Sequence, residues 1–212
     1  MLLQEASPRG MEKFIEAAGL DWSLHIRDVA PEMLSERGRS GKKGGRGRPR
    51  SVALAGRGGP ARNTEVFPNA PLPEKVMAAT VQLDGVDTTV ATYHAPTGGR
   101  HKLKKPAQAV QLARWLALVE GPVVLGGDFN TPKVDPPDQG GIRTHWHSGD
   151  DKLNGLPGDD LLVGPEPVHG LRDVLRLHLA DHPDELAMIR VKRPDGPLMT
   201  SYRTGGVGER RY

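Results

Sequence analysis

Apolar residues fall every three or four positions at Met11, Phe14, Ile15 and Ala18, and the period drops to two at Trp22, Leu24 and Ile26. The first spacing predicts a helix, opened by Ser7 and Pro8 as cap and first turn and stopped by Gly19. The second predicts a strand through Val29, with Asp28 continuing the alternation. Ahead of both, Met1 to Ala6 predicts a strand end that delivers Gln4 and Glu5. Ser51 to Arg57 predicts another strand, and the runs Val76 to Leu83 and Val86 to Tyr93 flank Asp84-Gly85, a two-residue hairpin signal. From Pro106 to Val119 one apolar face (Ala109, Leu112, Ala113, Leu116, Val119) predicts a helix that Gly121 ends. The apolar run Pro122 to Leu125 then predicts a buried strand, after which Gly126 and Gly127 open the backbone. Residues 132–165 carry Pro, Gly and Asp without a period and predict an irregular excursion. Leu171 to Leu179 predicts a helix and Met199 to Tyr202 a short strand. Strands and helices interspersed with a hairpin predict a mixed α/β sandwich rather than an all-parallel sheet.

Composition narrows the class. A chain of 212 residues is long enough for one sizeable domain, 1–212, and its 36% hydrophobic content with 27 Gly and 19 Pro predicts many loops. The absence of cysteine excludes disulfides and thiolate metal sites and fits a reducing, cytoplasmic setting. No apolar run reaches the roughly 18 residues a membrane span requires, and Met1 to Glu5 turns polar too soon for a signal peptide. The net charge of +3 hides an asymmetry. Seven of the 29 basic residues lie between Arg37 and Arg50 with no acid among them, leaving 22 basic against 26 acidic residues elsewhere. This Gly/Arg/Lys stretch predicts a flexible, exposed loop. Through Arg39, Lys42, Lys43, Arg46 and Arg48 it could neutralise nucleic-acid phosphates without reading sequence. It has no aromatic residue to stack on bases, and a solvated surface insertion is the competing reading.

The candidate chemistry starts where the last long strand ends. Asp128 and Asn130 leave it two residues apart, either as part of a site backed by a rigid sheet or as a local Asx turn. His145-Trp146-His147, followed by Asp150 and Asp151, could place two rings on one strand face as a metal site, but a polar loop is the favoured reading. Taken alone, Glu5 reads as a surface carboxylate at a helix start, His94 as a satisfied loop histidine and Asp173 as a helix-start carboxylate.

Four separated stretches together resemble the endonuclease/exonuclease/phosphatase superfamily in order and spacing. They are Leu3-Gln4-Glu5, Tyr93-His94-Ala95-Pro96, Gly127-Asp128-Phe129-Asn130, and Thr200-Ser201-Tyr202 with Arg210-Arg211-Tyr212. The resemblance implies a four-layer α/β/β/α sandwich of two mixed sheets. It also implies a Mg²⁺-dependent hydrolase, with Mn²⁺ as a substitute ion, acting on phosphodiesters or phosphomonoesters. By the same resemblance Glu5 matches the metal ligand, and Asp128 the residue that orients or deprotonates the attacking water. Asn130 matches the holder of a phosphate oxygen, His94 a phosphate-stabilising or leaving-group histidine, and Arg100 is assigned to the substrate. Asp173 falls where the family often has an aspartate. Two parts of the pattern are absent: an asparagine-bearing strand ahead of Gln4, and an Asp and a Ser-Asp-His after Tyr212. The resemblance therefore implies a chain truncated at both ends. A nucleic-acid-binding remnant acting through the basic stretch, without catalysis, is the rival expectation.

Overall fold

The computed structural model describes residues 1–33, 51–96, 103–130, 135–142, 144, 158–200, 202–204 and 208–210. The chain divides into two compact units, Met1–Pro96 with Val119–Phe129, and Thr97–Leu118 with Asn130–Tyr212. The architecture is mixed α/β with two sheets of three and four strands, as expected of an α/β sandwich.

In the first unit, β1 (Leu2–Ala6), β2 (Trp22–His25) and β3 (Ser51–Gly56) form a sheet in the order β1-β3-β2. Both of its pairings are antiparallel. The second sheet runs β4-β5-β6-β7, from β4 (Arg62–Val66), β5 (Val76–Leu83), β6 (Val86–His94) and β7 (Val123–Asp128). Its first two pairings are antiparallel and β6–β7 is parallel. Only this sheet is mixed among the described strands, where the resemblance implied two.

Strand β3 explains the layering. Val52 and Leu54 face Met77, Ala79, Val81 and Val90 of the second sheet, with Ile26 completing the core. The alternate residues Ala53 and Ala55 face Met11 on the first helix, α1 (Pro8–Ala18). Both sets are buried, so β3 reads as a continuous apolar run rather than an alternation. Each large side chain removed from water contributes about 1.5–3 kcal/mol. Helix α1 begins where Ser7 Oγ accepts from Gly10 N at 3.2 Å, and ends at Gly19 in the left-handed region (φ 59°). Arg57 then donates to the terminal carbonyls of Ala18 and Gly19 at 2.8 and 3.0 Å.

The strand expected through Val29 stops at His25. There Nδ1 accepts from Arg27 N at 3.2 Å and caps a short helix, α2 (Ile26–Val29). The period-two reading still located Ile26 in the core; what it missed was the cap, which turns the backbone while keeping that side chain inward. With Nδ1 accepting, the His25 ring proton sits on Nε2, 3.3 Å from the Ala6 carbonyl and 3.1 Å from Ser51 Oγ. Strand β4 went unseen because its sequence, Arg-Asn-Thr-Glu-Val, is that of a charged edge. The hairpin is as expected: Asp84 and Gly85 take φ values of 50° and 82°, and Leu83 pairs with Val86. Strand β7 was expected to be buried, but it is the edge of its sheet among the described strands and Val124 is 43% exposed. Its glycines are steric requirements. A Cβ on Gly126 would lie 2.6 Å from the Leu2 side chain, and one on Gly127 would run into the Tyr93 carbonyl oxygen.

The second unit holds α3 (Lys104–Leu118), α4 (Asp160–Val163), α5 (Val174–Asp181), α6 (Pro183–Lys192) and a hairpin of β8 (Tyr202–Thr204) and β9 (Gly208–Arg210). Helix α3 starts two residues before the expected Pro106. Helix α5 starts at Val174 rather than Leu171, because Asp173 Oδ1 accepts from Leu175 N at 3.0 Å and Arg176 N at 3.4 Å. The last strand begins at Tyr202, not Met199. Helix α6 carries no apolar stripe and was not expected. Pro183 at its start, Asp184 and Glu185 in its first turn and Arg190 and Lys192 in its last turn favour it through the helix dipole. Two shielded ion pairs tie this unit together. Arg176 meets the fully buried Asp135 at 2.6 Å, and Lys105 meets Asp159 at 3.2 Å. No helix among the described residues is long and apolar enough to cross a membrane.

Two outcomes are expected in urea unfolding. Gly127→Ala forces a methyl against backbone and should destabilise by about 1–3 kcal/mol, the usual cost of overpacking. Gly59→Ala, where nothing lies within 4 Å, should change little. The second outcome concerns pH. Burial holds His25 below its ordinary imidazole range, only partly offset by the Ala6 carbonyl. His169 is lowered in the same way, against the carbonyl of Leu162. Unfolded histidine therefore takes up a proton before the folded ring does. This stability is complete above the unfolded value of 6.5 and is lost as pH falls toward the folded value. The urea midpoint should drop between pH 7.5 and 5.5. An NMR titration placing His25 at or above the unfolded value would contradict the assignment.

Candidate functional site

Strands β6 and β7 run parallel, and their register ends on the pair His94↔Asp128. The Ala95 amide donates to the Asp128 carbonyl at 2.7 Å, so the ladder holds to its last rung. Neighbouring strands lie about 4.8 Å apart, which sets the two side chains next to each other at the carboxyl ends of their strands. Two positions earlier, the pair Thr92↔Gly126 shows which way this face looks. Gln4 Nε2 donates to Thr92 Oγ1 at 3.0 Å, and Leu2 Cδ1 lies 2.6 Å from where a Gly126 Cβ would be. Both residues belong to β1. Side chains two apart on a strand share a face, so His94 and Asp128 issue from the face that β1 covers.

Glu5 follows Gln4 directly. The β1–β3 register shifts between Leu3 and Ala6, and Glu5 takes a left-handed backbone (φ 54°). This is an irregularity of the kind that re-aims a side chain at a sheet edge. Glu5 is exposed, whereas His94 is only 7% exposed. Lys75 Nζ lies 2.9 Å from His94 Nδ1. An ammonium only donates, so Nδ1 accepts and the ring proton is on Nε2. On the opposite face of β6 the ring of Tyr93 meets Phe129 edge-on, with centroids 5.5 Å apart at 75°, anchoring the chain just past Asp128.

Three of the residues expected from sequence are thus brought to one end of the first unit: His94 and Asp128 as strand neighbours, with Glu5 on the strand lying over them. Asn130 belongs to the second unit. Its backbone is left-handed (φ 46°), and its carbonyl accepts from Lys105 Nζ at 2.6 Å, the same ammonium that meets Asp159. Asp173 is the N-cap of α5, the helix-start reading of that residue. Arg100, the basic residues Arg39, Lys42, Lys43, Arg46 and Arg48, and His145, His147, Asp150 and Asp151 lie outside the described residues.

Lys75 was missed by sequence reasoning, although a signal existed. Counting outward from the Asp84-Gly85 turn, each residue of β5 meets one of β6 as far as Val76↔Tyr93, and the next step brings Lys75 to His94. Glu5 and Asp128 offer hard carboxylate oxygens, the donor type Mg²⁺ takes one or two at a time while keeping several waters. Among the described residues the group of three donors close enough to grip one ion is a different one: His178, His182 and Glu185 in the second unit. Two imidazoles in that set make it a poor match for Mg²⁺.

The chain matches no protein-family model and no curated protein.

Lys75→Met removes the donor to His94 Nδ1 and should cost about 1–3 kcal/mol in chemical denaturation. Nitrogen NMR of the wild-type ring should show the proton on Nε2. A proton found on Nδ1 would remove Lys75 as the residue that sets the tautomer.

Proposed function

We propose that the chain is a Mg²⁺-dependent hydrolase of phosphodiester or phosphomonoester bonds, with its reacting groups at the β6–β7 strand ends. The observation that carries this reading is the terminal register pair His94↔Asp128 on the face covered by β1, the strand that carries Glu5. The order of these residues along the chain, which resembles the endonuclease/exonuclease/phosphatase superfamily, supplies the reaction class. Mg²⁺ bound at such a centre would neutralise the charge developing on the phosphoryl group. Glu5 would hold it through a carboxylate oxygen, with water completing the coordination.

Each residue then has one task. Asp128, fixed at the end of a paired strand, orients the attacking water and accepts its proton. His94 presents Nε2–H, the tautomer that Lys75 enforces, to a phosphate oxygen or to the leaving group. The Lys75 ammonium adds positive charge beside a dianionic or monoanionic substrate.

The test is hydrolysis of bis(p-nitrophenyl) phosphate and p-nitrophenyl phosphate by the purified chain with Mg²⁺. At least one should be cleaved, with activity lost to EDTA and restored by Mg²⁺ or Mn²⁺. Asp128→Ala and His94→Gln should each lower kcat by about 10²–10⁴-fold. The exposed Glu5→Gln, which leaves the core untouched, should raise the Mg²⁺ requirement. A folded protein that cleaves neither ester, or whose activity survives Glu5→Gln and Asp128→Ala unchanged, would overturn the assignment.

A further inference from the structure

Helix α5 ends and α6 begins at the same residue, His182, which closes one and opens the other. His178 lies one turn earlier and Glu185 in the first turn of α6. The resulting cluster shares nothing with the groups assigned to phosphoester hydrolysis. A ligand atom from each of His178, His182 and Glu185 lies within 4.8 Å of the other two. The rings stack at 4.0 Å between centroids and 22° between planes.

The hydrogen bonds settle what each ring can do. His182 Nδ1 lies 2.7 Å from the His178 carbonyl oxygen, which only accepts. Nδ1 therefore carries the proton, and Nε2 keeps its lone pair. A backbone carbonyl on one ring nitrogen is the usual arrangement that orients a histidine for coordination through the other. His178 Nε2 faces Glu185 Oε2 at 3.2 Å, so an imidazole nitrogen and a carboxylate oxygen already point at one another. As an ion pair this contact is worth little, since the two side chains are 46% and 49% exposed. Because the carboxylate only accepts, Nε2 carries the ring proton in this contact, and an interposed dication would take both atoms as ligands once that proton shifts to Nδ1. Asp181 and Asp184, both exposed, place further negative charge on either side of His182.

We propose that His178, His182 and Glu185 form a binding site for a borderline transition-metal dication of the Zn²⁺ type. Two imidazole nitrogens and one carboxylate oxygen match the ligand set that Zn²⁺ accepts, with a fourth position for water. Imidazole ligation favours Zn²⁺, Ni²⁺ and Cu²⁺ over Mg²⁺, so the site and the β6–β7 strand ends select different ions. The bound ion pins the last turn of α5 to the first turn of α6.

Calorimetric titration of the full chain with Zn²⁺ tests this, supported by the visible spectrum of the Co²⁺ form. The expected result is one Zn²⁺ per chain, undisturbed by excess Mg²⁺ and accompanied by a rise in Tm. Affinity should fall on the order of 10–100-fold or more in each of His178→Ala, His182→Ala and Glu185→Gln. These positions are exposed, so far-UV circular dichroism should report an intact fold. Asp128→Ala should bind Zn²⁺ as the wild type does, separating this site from the proposed hydrolytic one. No Zn²⁺ binding by the wild type, or binding that persists in the His178→Ala/His182→Ala double variant, would overturn the proposal.

Discussion

The first unit depends on β3 burying side chains on both of its faces. β1 and β2 pair with β3 and not with each other, so the sheet has no ladder without it. Val52 and Leu54 fill the space between the sheets, while Ala53 and Ala55 are small enough to let α1 lie close on the other side. This alternation of large and small sets where β1 can lie. β1 in turn covers the face from which His94 and Asp128 emerge. A change in β3 would therefore reach the candidate centre by moving a strand, without touching any polar group there.

Much of this was legible in the chain because it rests on local rules. The cap at Ser7, the left-handed stop at Gly19 and the Asp84-Gly85 turn each depend on a few neighbouring residues. What was hidden depended on tertiary partners or on their absence. β4 is polar because it is an edge, and α6 lacks a stripe because none of its residues is buried. His25 looked like one more strand residue, but its ring caps the helix that follows. At the candidate centre, Asp128 and His94 stood out as polar residues at strand ends, while their adjacency needed the parallel β6–β7 register. No residue pattern specifies that register, since a helix intervenes between the two strands.

Histidines show how differently one side chain can be used within a single chain. His25 is neutral, buried and committed at both nitrogens to holding a strand end, a helix cap and Ser51. His94 is buried too, but a lysine at Nδ1 decides which nitrogen carries its proton. His178 and His182 are exposed and stacked, with a backbone carbonyl making the same decision for His182. In each case the second nitrogen's partner, rather than burial alone, defines the chemistry left to the first.

The pairing of Lys75 with His94 also makes the far end of the hairpin part of the same device. The two-residue turn lies at the opposite end of β5 and β6, yet together with their buried faces it counts off which lysine meets which histidine. A one-residue slip of the pairing started there would turn Lys75 to the other side of the sheet. The loop there is exposed and, by local criteria, tolerant of change. As a ruler for the strand ends it is bound to the pairing it must keep, more than to the residues that make it.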